Sequence, residues 1–137
     1  MDKQELIRAA RRLPVESRKE IAKAIIQSID RDLSAPSAED RLAELITVAC
    51  SALGVTDYNP RRKANGDAYV RNFCALTMRE EGYTLLQIGR AMGRHTSSVI
   101  TMSRRGDEMR HGYFGTDILA RYKKFNEAVQ SHATNDR

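Results

Sequence analysis

The amino-acid sequence predicts an all-α fold, and three of its features support this prediction. Hydrophobic residues make up 41% of the 137-residue chain, charged residues 30% and aromatic residues 6%, a composition typical of a soluble helical protein. No Trp occurs. Apolar residues recur at intervals of three and four, with Gly and Pro between the periodic segments. A chain of this length usually forms one compact domain, or one domain with a helical extension.

The first predicted elements are two helices that form a hairpin within residues 1–35. The first carries apolar residues up to Leu13, and Pro14 then ends it or opens the next helix. The second helix bears an aliphatic stripe at a spacing of four residues, which needs a hydrophobic partner surface. Residues 1–33 are therefore a candidate homodimer or protein-partner interface, and a helix that packs on the protein's own core is the alternative. The Ser-Ala-Pro-Ser segment at 34–37 is the predicted linker.

A second predicted domain covers residues 38–130. Its first helix begins near Ala38 and ends before Gly54, which is expected to adopt a positive φ. The next helix covers about residues 67–81 and ends at Gly82.

Two short helices joined by a tight turn are predicted to follow. Thr84 and Gln87 match the capping-box pattern at the start of the first helix, and the turn falls at residues 93–95. Thr96 or Ser97 is expected to cap the second helix. Its inward positions are predicted to be Val99, Met102 and, as a third candidate, Ile100.

A C-terminal helix completes the predicted domain. It begins at Thr116 or Asp117, either of which is a suitable N-cap residue. The polar tail from Gln130 is expected to fray.

Basic residues are concentrated in one part of the chain. The formal net charge is +5 and the pI about 9.5. Residues 60–112 hold ten Lys or Arg and five Asp or Glu, whereas residues 36–59 hold one and four. A basic segment of this kind permits binding to nucleic acid but does not establish it.

Residues 84–105 match the physical description of a helix-turn-helix. With Val99 and Met102 inward, the helical period collects hydroxyl and basic side chains on the outward face of a recognition helix at about residues 96–106. The helix is predicted to end at about Arg105, frayed early by Gly106, or to continue to about Met109. Short hydroxyls let a backbone approach DNA, and arginines bind phosphate or guanine. The outward residues are Ser97, Ser98, Thr101, Arg104 and Arg105, with Arg94 and His95 at the entrance. A pair of core helices with a solvated polar face is the alternative interpretation.

Residues 45–105 resemble the C-terminal DNA-binding domain of the bacterial replication initiator DnaA. The likeness is carried by Ile46-Thr47-Val48-Ala49 with Leu53-Gly54-Val55, the basic Arg61-Arg62-Lys63, Arg71, and the run from Leu86 to Val99. That run is similar to the family signature of Ile-Gly, an apolar residue with Gly, Arg-Asp-His, two hydroxyl residues and Val. The N-terminal segment at 13–30 is also similar, with lower specificity, to the amphipathic helix of antitoxin-like addiction-module proteins.

The DnaA resemblance implies a Trp-repressor-like helical fold that binds DNA. It implies that Arg61, Arg62, Lys63 and Arg71 lie near the minor groove or phosphates, and that His95, Thr96, Ser97 and Ser98 recognise the target. The sequence departs from the family because one residue of the Gly-Gly turn is missing and His95-Thr96 replaces Asp-His. The family's target sequence is therefore not carried over. The phosphate-binding loop Gly-x-x-x-x-Gly-Lys-Ser/Thr does not occur, so we expect no ATPase part.

Other site chemistries have little support in the sequence. Cys50 and Cys74 lie in apolar-periodic segments, so both are predicted to be buried free thiols in a reducing, cytoplasmic compartment. The three histidines are scattered and no triad context occurs, so neither a metal site, a cofactor nor an enzyme is expected. No apolar run is long enough for a membrane span. The tyrosines are predicted to pack in the core or at its rim rather than to stack on single-stranded bases; those considered are Tyr58, Tyr69, Tyr113 and Tyr122.

The leading hypothesis is a protein that binds double-stranded DNA as a regulator or accessory replication factor. The alternative is a helical protein-interaction module, antitoxin-like or adaptor, that uses the N-terminal amphipathic helix. The surface distinguishes the two, because clustered arginines favour DNA, whereas scattered arginines together with an exposed Ile stripe favour a protein partner. The arginines concerned are Arg61, Arg62, Arg71, Arg94 and Arg105.

Overall fold

The part of the chain described by the computed structural model is all-α, as predicted. The structure describes Lys3 and residues 36–135, and within this part five helices and no strand occur. All five belong to the second of two units, Ser37–Arg137. The helices are α1 (Ala38–Leu53), α2 (Asn65–Glu80), α3 (Leu85–Met92), α4 (Thr96–Arg110) and α5 (Thr116–Asn135). The predicted N-terminal hairpin, its partner interface and the antitoxin-like segment lie outside the described residues.

Local capping explains where α1 begins and ends. The Ser37 hydroxyl accepts a hydrogen bond from the N–H of Asp40 at 3.1 Å, which satisfies one of the free donors at the start of the helix. Gly54 ends the helix at φ 69°, as predicted, in the left-handed region where a glycine has no steric cost. The N–H of Val55 then returns to the carbonyl of Cys50 at 3.0 Å.

Helix α2 is the centre of the fold and packs against α1, α3 and α4. Phe73 is fully buried, and its ring lies 5.5 Å from that of Phe125 and 5.3 Å from that of Tyr122, both on α5. These aromatic contacts join α5 to α2, while α5 also packs on α1. The four longest helices therefore form a shared core, and the short α3 closes it beside α4.

Helix α4 differs from its prediction at two positions. Val99 and Met102 are buried as predicted, but Ile100 is 43% exposed and does not belong to the core. Of the two predicted ends of the helix, about Arg105 with fraying at Gly106 or about Met109, the structure has the later one, and Gly106 does not fray the helix. A Cβ built at Gly106 would lie 2.6 Å from the carbonyl oxygen of Asn72, so the glycine allows α4 and α2 to approach closely, and α4 continues to Arg110.

The far end of α5 also differs from its prediction. The helix continues to Asn135 instead of fraying from Gln130, and Val129 is buried one residue before the expected fraying point.

Both cysteines are free thiols, but only Cys74 is fully buried. Cys50 is half-buried, so the prediction of two buried thiols holds for one of them. Burial raises the pKa of both thiols. Among the described residues, no helix combines the length and apolar character that crossing a membrane requires.

Candidate nucleic-acid interface

Helices α3 and α4 are joined by the three-residue turn Gly93-Arg94-His95. The predicted capping box is present: the N–H of Gln87 donates to the Thr84 hydroxyl at 3.1 Å, and the Gln87 side chain accepts from the N–H of Thr84 at 2.8 Å. Gly93 ends α3 at φ 65°, and the N–H of Arg94 bonds the carbonyl of Gly89 at 2.8 Å. The turn is thus closed by a hydrogen bond where it leaves α3.

Gly89 is required where α3 meets this turn. A Cβ at this position would lie 2.7 Å from the carbonyl oxygen of Arg94 and 3.7 Å from a methyl group of Val99. Because real Cβ atoms do not approach a carbonyl oxygen so closely, a larger residue would push α3 away from the start of α4. Gly89 therefore sets the separation of the two helices.

His95 caps α4, which corrects the prediction of Thr96 or Ser97. The imidazole Nδ1 accepts a hydrogen bond from the N–H of Ser97 at 3.2 Å and lies 3.0 Å from the Ser97 hydroxyl. Asp is among the preferred residues at such a position. His95 thus performs the capping task for which an Asp is well suited.

The four hydroxyl residues of α4 that were predicted to face DNA lie over its first two turns. Ser97 is exposed, while Thr96, Ser98 and Thr101 are half-buried. The Thr101 hydroxyl donates to the carbonyl of Ser97 at 3.2 Å, so part of this face bonds within the helix. The exposed Ser97 and the half-buried side chains beside it leave a surface of small polar groups at the start of α4.

Three arginines from separate elements meet at the turn between α3 and α4. Arg94 donates to the carbonyl oxygen of Pro60 at 2.6 Å, and Arg71 on α2 donates to the same oxygen at 3.3 Å. Arg61 donates to the carbonyl of Gly93 at 3.4 Å. We call Arg61, Arg71 and Arg94 the arginine cluster. Because its hydrogen bonds end on neutral carbonyls, its positive charge is not cancelled by a carboxylate among the described residues.

Two further residues of the predicted basic loop lie beside the cluster. Arg71 donates to the carbonyl of Arg62 at 2.6 Å, which ties the loop to α2. The Arg62 guanidinium itself faces two carboxylates, those of Asp57 at 3.4 Å and Asp67 at 3.7 Å. Lys63 is exposed and makes no ion pair within the described part of the chain. Arg62 is therefore partly neutralised, whereas Lys63 adds its full charge to this surface.

Asp67 holds the basic loop in place, a role that the sequence analysis missed. The residue is 2% exposed, and its carboxylate accepts a hydrogen bond from the N–H of Asn59 at 3.0 Å. Buried carboxylates are rare unless they are paired or hydrogen-bonded. The signal available in the sequence was a single acidic residue at the start of α2, just after the basic run.

Arg104 and Arg105 lie further along α4 and do not join the cluster. Both are exposed, and they follow Thr96 by about 12 Å along the axis at 1.5 Å per residue. Arg104 lies 3.7 Å from Glu108, while Arg105 has no ion pair among the described residues. The predicted site therefore divides into the arginine cluster with the start of α4 and a separate pair of arginines.

The tyrosines are mostly packed, as predicted, with one exception. Tyr69 and Tyr122 contact the ring cluster around Phe73, and burial raises the pKa of Tyr58 to about 12. Tyr113 is 76% exposed, in the loop before α5, so its prediction as a packed residue is wrong. No group of three His, Cys, Asp or Glu side chains suited to a metal ion occurs in the described ranges.

Comparison with models of protein families, with curated proteins and with solved structures finds no match for this chain.

Proposed function

We propose that this protein binds double-stranded DNA, with α3 and α4 acting as a helix-turn-helix and α4 as the recognition helix. One observation carries the proposal. Arg61, Arg71 and Arg94 come from a loop, a long helix and the turn before α4, yet they lie together and face neutral carbonyls. Such an arrangement costs electrostatic repulsion, and an anionic partner that approaches the start of α4 would offset it.

The positions of the arginines also favour DNA over the protein-interaction alternative. Five arginines were named above whose arrangement distinguishes DNA from a protein partner. Four of them lie around Pro60, and among the five only Arg105 lies apart. The resemblance to the DNA-binding domain of DnaA gives independent support from the sequence. By that resemblance the protein acts as a regulator or accessory replication factor on a bacterial chromosome or mobile element.

In the proposed complex, the cluster binds phosphates and α4 enters the major groove. The hydroxyls at the start of α4 are short enough to let its backbone approach the base edges. Each phosphate neutralised by the protein releases counterions, so log K falls with log salt by about 0.9 per contact. A protein with several such contacts loses affinity steeply between low and physiological salt.

Fluorescence anisotropy with random duplex DNA, and with a pool selected from random sequences, tests the proposal at two salt concentrations. The test variant is Arg71→Gln with Arg94→Gln, and the matched control is Lys123→Gln with Lys124→Gln, which removes the same charge from an exposed face of α5. We expect steep salt dependence, an enriched sequence motif, and weaker binding for the cluster variant alone. Equal losses of DNA affinity in both variants would mean that only the net charge of the protein matters for binding. No binding at low salt would refute the proposal.

A further inference from the structure

A cavity of about 130 Å³ lies directly beside the arginine cluster. It is formed by residues of α1, α2, α3 and α4 together with the loop around Pro60. Five of its lining residues are apolar: Leu42, Ile46, Ala91, Met92 and Met102. The remaining lining residues are Tyr58, Pro60, Arg71 and Arg94. Both arginines donate hydrogen bonds to the carbonyl oxygen of Pro60. The cavity thus joins an apolar interior to a polar side at which two guanidinium groups meet.

The size of the cavity limits what it admits. An apolar protein cavity of about 150 Å³ binds a molecule of the size of benzene. A space of about 130 Å³ therefore takes a compact apolar group with one ring or a short branched chain. A nucleotide or a peptide is too large for it.

The polar side presents hydrogen-bond donors almost exclusively. Arg71 and Arg94 share one carbonyl oxygen and have no acidic partner in the described part of the chain. Tyr58 adds a phenol hydroxyl, which is protonated at neutral pH and can donate a hydrogen bond, and burial raises its pKa further, to about 12. Planar guanidinium groups bind the two oxygens of a carboxylate better than the single oxygen of a neutral amide or alcohol.

We propose that this cavity binds a small carboxylate whose apolar body is about the size of a benzene ring, and that the bound carboxylate weakens DNA binding. The body occupies the space between Leu42, Met92 and Met102, and the carboxylate takes hydrogen bonds from Arg71 and Arg94. A guanidinium that binds the ligand is no longer available to a phosphate. The ligand site stands on the cavity alone, whereas its effect on DNA rests on the proposed function.

Three small molecules separate the features of the ligand, and all are tested on the full chain by calorimetry and by NMR of the methionine methyl groups. Benzoate has the ring and the charge, benzamide has the ring alone, and acetate has the charge alone. We expect saturable binding of benzoate, with binding of benzamide and acetate weaker by about tenfold or more. Benzamide loses the charge-assisted hydrogen bonds, and acetate loses the burial of the apolar ring. The methyl signals of Met92 and Met102 should shift, while that of Met78, buried but outside the cavity lining, should not.

Two variants then locate the site. Ala91→Leu fills the cavity and leaves both arginines in place, and Arg71→Gln with Arg94→Gln removes the charge and leaves the five apolar lining residues in place. Both should abolish benzoate binding. Equal shifts for the three molecules, or no saturable shift with benzoate, would overturn the site. Because the three-ligand comparison uses the unmodified protein, it decides the question even where a variant fails to fold.

DNA binding with and without benzoate tests the second half of the proposal. At constant ionic strength, benzoate should raise the Kd for DNA several-fold in the unmodified protein and leave it unchanged in Ala91→Leu. Benzoate binding without any effect on bound DNA would remove the regulatory half and keep the site. Absence of DNA binding in all samples would refute the proposed function, while the calorimetric result on benzoate would still stand by itself.

Discussion

The buried carboxylate of Asp67 accepts a hydrogen bond of 3.0 Å from the N–H of Asn59, across the basic loop that supplies Arg61 and Arg62. This bond fixes the start of the loop against the first turn of α2. Pro60 follows Asn59 immediately, and its carbonyl oxygen accepts hydrogen bonds from Arg71 and Arg94. The position of the arginine cluster therefore depends on a residue that carries the opposite charge.

The first prediction concerns Asp67→Ala, which removes the acceptor for Asn59 and the buried partner of Arg62. Loss of a hydrogen bond to a charged group, with a donor left unsatisfied, should lower the free energy of unfolding by about 1–3 kcal/mol. DNA affinity should also fall because the loop is no longer held. Urea denaturation and anisotropy measure the two effects. Asp57→Ala is the control, since Asp57 also faces Arg62 but its side chain is 89% exposed; a similar loss there would contradict the role given to Asp67.

A second prediction concerns Gly89→Ala. Helix propensity alone favours Ala over Gly by about 1 kcal/mol in a helix. The close approach to the Arg94 carbonyl reverses the sign, and overpacking of this kind costs about 1–3 kcal/mol. The midpoint of urea unfolding should therefore decrease, while Arg90→Ala on an exposed position of α3 should leave it nearly unchanged. A more stable Gly89→Ala protein would show that α3 and the turn are not in contact as described.

A third prediction separates the capping role of His95 from its part in DNA binding. His95→Ala should lower the free energy of unfolding by about 1 kcal/mol, the usual cost of losing an N-cap side chain. His95→Asn and His95→Asp should both restore the cap, and Asp gains further from the positive end of the helix dipole. In DNA binding the order differs, because the Asp carboxylate repels phosphates and Asn does not. Equal stability of the Ala and Asn variants would argue against the cap.

These positions show what the sequence predicts well and what it does not. The Thr84 capping box, the inward Val99 and the Gly54 cap follow from local spacing, so they were predicted correctly. His95 was missed as the cap because three adjacent polar residues compete for that position, and the path of the turn decides between them. The role of Gly106 depends on Asn72 of another helix, which no local pattern indicates.

The candidate site was predicted residue by residue but not as an arrangement. Arg61, Arg71 and Arg94 were each proposed from the family resemblance or from their place beside the turn. That two of them share the Pro60 carbonyl, and that an apolar cavity lies next to it, are consequences of tertiary packing. Arg105, which the criterion named together with this set, lies in the third turn of α4 and takes part in none of these hydrogen bonds.

A fourth prediction concerns stability at high pH. Burial raises the pKa of Tyr58 to about 12 from its usual 10, and it raises the pKa of Cys74 as well. The folded protein therefore holds these protons more tightly than the unfolded chain. The stability they contribute is complete below about pH 9 and is lost as the pH rises through 10 to 12. The urea midpoint should fall across this range, and less steeply in Cys74→Ala; an unchanged midpoint up to pH 11 would contradict the burial of both groups.

The last prediction concerns Arg104 and Arg105, which decide how far along α4 the DNA extends. Arg105→Ala should leave stability within about 0.5 kcal/mol, because the side chain is exposed and unpaired in the described part of the chain. Arg104→Ala loses only the exposed pair with Glu108, worth about 0–1 kcal/mol. If each arginine contacts a phosphate, the double variant should bind DNA more weakly and lower the slope of log K against log salt by about 0.9 per contact. The same change at Lys123 and Lys124 is the control. Unchanged binding by the double variant would confine the interface to the arginine cluster and the first two turns of α4.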